Sequence, residues 1–432
     1  MITTPDLAHG EFGHHYPSVL PGGEAVLFTI NPPGQQSGSG DQIAVLDLKT
    51  GKQKTLVRGG SQAEYVNPGY LVYAAAGTLR AVRFDPDRLE VHGDPVPVLA
   101  QVATATLGTA EFSISPTGTL VYLPGGFAAA TARSLVWIDR KGHEELIKAP
   151  PRAYYALRLS PDGTRLAIDI RDQENDIWVW DLARETSTRI TVDPGIDSFP
   201  VWTTDSRRIV YSSAHGGTAP NLFWQAADGT GPAERLTTAD HVQFPMSFSP
   251  DGRSLLVKEQ DASTRDDISI LSMTGTRQLA PLIRTSFNER NAEVSPNGHW
   301  LAYESEESTP GQIYVQPFPL GNNGGRVQIS TSGGSKPVWA PSGRELFYFN
   351  ENALYSVAIR TTPSFSPGKP VKLFAVRPIG LLSGRFYDVS RDGQRFVVVK
   401  DPLPTNQLAA DVRGLVVVVN WVEELKTKVG VK

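Results

Sequence analysis

The 432-residue chain contains no cysteine, which excludes a disulfide framework, thiolate metal sites and a cysteine nucleophile. Long apolar runs are also missing. The longest, Leu415 to Val419, falls far below the roughly 20 residues that cross a bilayer and reads as a strand, so no membrane insertion by this chain is expected. Met1 to Phe12 hold no cationic start followed by an apolar stretch, the pattern of a secretory signal. With 41 Lys and Arg against 45 Asp and Glu, the formal charge is -4, and nucleic acid, which needs a concentrated basic face, is not an expected partner. There is no GxSxG elbow, no HExxH and no Walker loop, so the common hydrolase, metalloprotease and nucleotide signatures are absent.

What the sequence does have is a repeat. The clearest copies read YALRLSPDGTRLAIDI from Tyr155, FPMSFSPDGRSLLVKE from Phe244, NAEVSPNGHWLAYES from Asn291 and KPVWAPSGRELFYFN from Lys336. Each is strand, tight turn, strand: proline presets φ, Asp or Asn bonds its own backbone, and glycine accepts positive φ. Further copies begin near Tyr16, Glu64, Glu111, Phe199 and Phe386, at intervals of about 44 to 49 residues. A third strand follows each hairpin, as in DIWVWDL from Asp176 and QIYVQPF from Gln312, and then a fourth, as in TRITV from Thr188. Period-two or continuous apolar patterns rich in Val, Ile, Tyr, Phe and Trp favour strands over helices.

Four strands per unit make a blade, so the expected fold is all-β: one β-propeller domain over 1–432. Its four-stranded antiparallel blades begin near 16, 64, 111, 156, 200, 245, 291, 337 and 386. Nine blades are expected, with eight as the alternative. The last copy supplies Phe386 to Val389, Gln394 to Lys400 and Leu415 to Val422 but no fourth strand, whereas Ile2 to Asp6 match Leu236 to Asp240 at the end of another blade. Residues 2–6 are therefore expected to complete the last blade, leaving 423–432 as a tail.

The SPDG-type turn, the third strand ending like WDL and the fourth ending in RLT or RIT resemble the TolB-like, WD-repeat-like propeller repeats of bacteria. More narrowly, GEFGHHYPSVLPGGEAVLFT from Gly10, RDQENDIWVWDLAR from Arg171 and FNERNAEVSPNGHWLAYES from Phe287 resemble the propeller region C-terminal to membrane-anchored bacterial serine/threonine kinases. The kinase Gly-rich loop, HRD and DFG motifs are absent from this chain. The resemblance implies a sensing or binding propeller, extracytoplasmic if derived from a kinase ectodomain and cytoplasmic if made as this chain without a signal peptide.

Residues just before each innermost strand of a propeller sit at the mouth of the central channel, where ligands often bind. Aligned copies gather Glu111, Arg152, Tyr154, Asp197, His241, Gln243, Asn288, Arg290, Lys336 and Arg385 there as candidate ligand contacts. His14, His15, Glu289 and Glu293 are the candidates for proton transfer. Asp172, Glu174 and Asp176 are spaced two apart like the start of a calcium loop, but lack its glycine and distal glutamate, so no cofactor is predicted and calcium is the outside case. Glu11 beside His14 and His15 suggests zinc, yet neighbouring strand residues point to opposite faces. Trp178, Trp202, Trp224 and Trp339 occupy strand positions expected to pack between sheets.

The functional expectation is a non-enzymatic binding or sensing propeller that takes a small polar molecule or a protein at the channel mouth. The alternatives are a hydrolase or lyase using His and carboxylate groups in the channel, and a protein-interaction scaffold.

Overall fold

The computed structural model describes residues 3–6, 11, 13–31, 41–75, 77–103, 110–124, 132–171, 175–192, 196–213, 215, 219–261, 265–319, 325–362, 364–376, 384–401 and 414–429. The chain divides into two compact units, residues 1–132 with 404–432, and residues 133–403. In the first unit, β1 (Gly13–Val19), β2 (Ala25–Asn31), β3 (Gln42–Asp47) and β4 (Gln53–Arg58) form one antiparallel sheet. β5 (Ser61–Val66), β6 (Tyr70–Ala75), β7 (Thr78–Asp85) and β8 (Glu90–Leu99) form a second, and β9 (Phe112–Ile114) and β10 (Leu120–Tyr122) begin a third.

The second unit opens with β11 (Ser134–Asp139) and β12 (Glu144–Leu146). Four four-stranded sheets follow in sequence: β13 (Tyr154–Leu159), β14 (Arg165–Arg171), β15 (Asn175–Asp181) and β16 (Thr186–Arg189); β17 (Asp197–Trp202), β18 (Arg208–Ser213), β19 (Asn221–Ala226) and β20 (Glu234–Arg235); β21 (Val242–Phe248), β22 (Ser254–Asp261), β23 (Arg265–Ser272) and β24 (Leu279–Ile283); β25 (Glu289–Val294), β26 (Trp300–Ser305), β27 (Gln312–Pro317) and β28 (Val327–Gln328). The next contains β29 (Ser335–Trp339), β30 (Glu345–Asn350), β31 (Ala353–Arg360), β32 (Ser366–Pro367) and β33 (Val371–Ala375). β34 (Tyr387–Val389) and β35 (Arg395–Lys400) then join β11 and β12 in a sheet ordered β12-β11-β35-β34. Finally β36 (Val416–Val418) pairs with β10, and helix α1 (Trp421–Val429) packs against β7 and β8.

The turn chemistry read from the repeat explains the hairpins. At Ser160–Gly163 the Gly163 amide bonds the Ser160 carbonyl at 2.7 Å, while Asp162 Oδ1 accepts from the Ser160 hydroxyl at 2.6 Å and the Thr164 amide at 3.0 Å. Gly163 takes a φ of 77°, where a Cβ would be strained. Seven first strands, β1, β5, β13, β17, β21, β25 and β29, share a break in register near their start. Phe199, Asn291 and Lys336 sit at equivalent breaks with φ of 58°, 54° and 54°. A bulge of this kind re-aims the side chains that precede it.

Two expectations differ from the observed pairing. The strand from Leu415 does not extend the sheet of β34 and β35; it pairs through Val416–Val418 with Tyr122–Leu120 of the third repeat. Residues 3–6 form no strand, and β35 is completed by β11, which matches it residue for residue from Ser134↔Lys400 to Asp139↔Arg395. The physical reason is apolar complementarity. Leu135, Val136 and Ile138 meet Val399, Val398 and Phe396, all at most 5% exposed, whereas a segment carrying Pro5 has no comparable face and lacks one donor.

Within the second unit, each first strand contacts the next from β34 through β13, β17, β21, β25 and β29. The circuit returns to β34 through the Tyr387 hydroxyl, which donates to the Lys336 carbonyl at 2.7 Å, and through Phe349 packed 4.7 Å from Phe386. Trp202 and Trp339 are buried between sheets as expected, but Trp178 and Trp224 are half-buried and capped by Arg152 at 4.3 Å and Arg208 at 4.2 Å. Phe396 is fully buried against Phe347 and Phe374 at the seam formed by β11 and β35. Phe396→Ala is expected to cost the second unit about 3–5 kcal/mol in denaturant unfolding.

Candidate functional site

Counting back from each turn puts Arg158, Val201, Ser247, Glu293, Val338 and Asp388 at one repeat position on the six first strands of the second unit. Arg158 on β13 donates to the Met246 carbonyl on β21, past the intervening β17. Arg385, just before β34, ion-pairs with Glu293 on β25, past β29, and lies 3.9 Å from Asp388. Side chains that skip a sheet in this circuit span its axis. Asp388 also accepts from the Leu159 amide at 3.0 Å. Burial draws both guanidiniums below their ordinary pKa, with Asp388 opposing. Two cations and two carboxylates therefore balance one another along the axis.

Toward the start of the first strands lies the mouth. Here the fifth residues of β14, β18, β22, β26 and β30 are Asp169, Ser212, Lys258, Glu304 and Phe349. Asp169 accepts from Arg171 at 3.1 and 3.0 Å, and Arg171 lies 3.2 Å over the Tyr155 ring. Tyr155, Phe199 and Phe244 form an aromatic row with centroid spacings of 6.1 and 4.8 Å. Lys258 sits 4.7 Å over Phe244 and donates to Asp266 at 3.0 Å. Arg290 lies 3.6 Å from the same carboxylate and 2.5 Å from Glu306. Asn288 donates to Glu306 at 2.6 Å, and Asn291 donates to Glu304 at 2.7 Å. Glu304 also accepts from the Lys336 amide at 3.3 Å. The result is a chain of alternating charge over an aromatic floor. Burial lowers the pKa of Lys258, with Asp266 opposing, and that of Lys336, with Glu304 opposing.

Among the sequence candidates, Asn288, Arg290 and Lys336 belong to this network, and Arg385 and Glu293 to the axial cluster below it. His241 and Gln243 converge on Glu259 at 2.7 and 2.9 Å. Although burial pushes Glu259 upward, its bonds to Ser269, His241 and Gln243 hold its pKa below the usual value. Glu289 is 2% exposed, accepts from Thr285 at 2.6 Å and Ser305 at 3.3 Å, and leaves Oε2 without a partner. Burial raises its pKa, and the charges of Asp267 and Glu307 add to the rise.

Other candidates are placed elsewhere. Asp197 is buried at the start of β17, the Tyr154 hydroxyl donates to the Pro150 carbonyl at 2.5 Å, and Arg152 stacks on Trp178. Glu111 is an exposed residue of the first unit. His14 and His15 are also in that unit: His14 packs 4.7 Å from Phe28 and 3.1 Å from Glu11, while His15 is exposed on the other face of β1. Asp172 and Glu174 lie outside the described residues, and Asp176 is bonded by Arg189 at 2.8 Å and Thr191 at 3.1 Å. Among the described residues no group of three or more His, Asp or Glu is placed to hold a metal.

Sequence reasoning missed Asp169, Arg171, Lys258, Asp266 and Glu304. A signal existed: the fifth residue of RLAIDIR, SLLVKE and WLAYES is charged in each, where the apolar run would otherwise continue.

Two outcomes follow from these buried charges. Glu293→Gln leaves Arg385 with only the more distant Asp388 as counter-ion and is expected to destabilise the second unit by about 3 kcal/mol, whereas Glu293→Leu combined with Arg385→Met recovers most of that loss in equilibrium unfolding. For Glu289, the raised folded pKa means native stability falls as pH climbs above 4.5 toward that pKa. Glu289→Gln removes this penalty, so thermal unfolding at pH 4 and pH 7 should show the variant gaining on the wild type at the higher pH.

Residues 127–315 match the family described as the TolB beta propeller domain. An uncharacterized protein of Agrobacterium fabrum is 23% identical over 294 residues, covering 65% of this chain and 97% of its own. The Tol-Pal system protein TolB of Francisella tularensis is 26% identical over 192 residues, covering 42% of this chain and 43% of its own, so the match spans less than half of that relative. A solved structure assigned as TolB from Agrobacterium tumefaciens superposes with a TM-score of 0.51 at 18% identity over 63% of this chain and 99% of that one. In repeat and in architecture the chain is similar to the TolB-like β-propellers.

Proposed function

We propose that the second unit is a binding module that takes an extended polar segment of a protein partner at its channel mouth without transforming it. The carrying observation is the row Tyr155, Phe199 and Phe244, capped by Arg171 at one end and Lys258 at the other, with the alternating charges Lys258, Asp266, Arg290 and Glu306 continuing from it. The buried members of this row are already ordered, which lowers the entropic cost of binding, and the partly exposed His241 and Glu306 side chains at its rim are the groups a segment would meet. Below it, Arg158, Arg385, Glu293 and Asp388 occupy the axis, so a segment would lie across the mouth rather than thread through. The name of the Francisella relative, a component of a Tol-Pal system, agrees with a protein partner.

A linear-peptide display library selected on the full chain is the test. Peptides are expected to lose at least tenfold in affinity on His241→Ala and Glu306→Ala, whose side chains are about two-fifths exposed at this rim. Selected peptides that bind both variants as tightly as the wild type would refute the assignment.

A second reading, turnover of a small polar substrate, is favoured by one observation: His241 lies 2.7 Å from Glu259, a pair able to move a proton. It requires that His241→Ala abolish turnover of a substrate that the variant still binds.

A further inference from the structure

Sheet edges expose unpaired backbone donors and acceptors, and proteins blunt them with charge, proline or short strands. The outer strands among the described residues follow that rule. β4 carries Lys54 and Arg58; β8 carries Glu90, Asp94 and two prolines; β12 carries Glu144 and Glu145; β16 ends on Arg189. β20 and β28 are two residues long, β24 contains Pro281 and β33 contains Lys372.

β36 breaks the rule. It is the outer strand of the three-stranded sheet β36-β10-β9, where each other sheet of the described residues has at least four. Its sequence, with flanks, is LVVVVN, with neither charge nor proline. Leu415, Val417 and Val419 are 70%, 58% and 68% exposed, and alternation puts them on one face. Among the described residues the third repeat of the first unit thus ends one strand short, at an apolar edge.

We propose that β36 is the self-association edge of this chain, pairing antiparallel with β36 of a second copy across a two-fold axis. The distribution of side chains around Val417 selects this occupant. In antiparallel register Val417 faces its own symmetry mate, and Leu415 faces Val419, so the exposed set is complementary to itself. No like charges meet in that register, the usual cost of pairing a strand with its copy. Two three-stranded sheets become one of six strands, and the missing fourth neighbour is supplied by the other chain. α1 follows within three residues of the strand, with Trp421 and Leu425 buried, and so anchors one end of the edge in a fixed position.

The test uses the full chain. Sedimentation velocity over a concentration series is expected to show a monomer to dimer transition insensitive to salt, since no charges pair at the edge. Val417→Lys and Val419→Lys, both at exposed positions, should each raise the dissociation constant at least tenfold. Because the chain has no cysteine, Val417→Cys supplies a single thiol that should cross-link to its symmetry mate on mild oxidation, in much greater yield than Leu146→Cys at another exposed site. A chain that stays monomeric at all concentrations, or equal cross-linking by the two cysteine variants, would overturn the proposal. Dimers untouched by either lysine would overturn it too, by placing the interface elsewhere.

Discussion

The second unit depends on one pairing, that of β11 with β35. These strands lie more than 250 residues apart in sequence, yet they match along six consecutive residue pairs, with Leu135, Val136 and Ile138 packed on Val399, Val398 and Phe396. Without that pairing the last first strand, β34, would end an open series of sheets. Its partners across the seam would face water: Phe349, Phe386 and Tyr387 on the inner side, Phe347, Phe374 and Phe396 further out. The axial ion pairs depend on the same closure, because Arg385 enters from the strand that the seam holds in place and reaches Glu293 two sheets away.

Closure also explains why so much charge is tolerated inside. Buried ions are costly unless paired and hydrogen-bonded. Here Asp169 with Arg171, Asp266 with Lys258 and Arg290, and Glu304 with Asn291 each find partners from their own or adjacent sheets. The pairs that cross sheets, Arg290 with Asp266 and the Lys336 amide with Glu304, form only if neighbouring blades keep their spacing, so the mouth network reports on the geometry of the circuit. The bulges near the start of the first strands have the same local role, turning Phe199, Asn291 and Lys336 at the point where the strands enter the mouth.

The first unit applies the same repeat under a different constraint. Its sheets β1 to β4 and β5 to β8 are complete, while the third is assembled from β9, β10 and β36, the last arriving from the far end of the chain. α1 covers β7 and β8, and Lys428 reaches the Val98 carbonyl at 2.7 Å, tying the end of the helix to β8. A unit with one short sheet keeps an edge, and its side chains decide what meets that edge.

The strand content, the turn at Ser160–Gly163, the start of each repeat and the candidacy of Asn288, Arg290, Lys336 and Arg385 were all legible from sequence, because they follow from local rules: period-two patterning, turn chemistry and repeat spacing. The division into two units, the choice of β11 over residues 3–6 as the partner of β35, and the capture of β36 by β10 were settled only in three dimensions. Those choices compare apolar faces from distant parts of the chain, and no local pattern ranks Leu135 against Thr3 or Val416 as a neighbour. The mouth falls between these cases. A charged residue at the fifth place of β14, β22 and β26 marks Asp169, Lys258 and Glu304, but which charge meets which depends on the order of sheets around the axis.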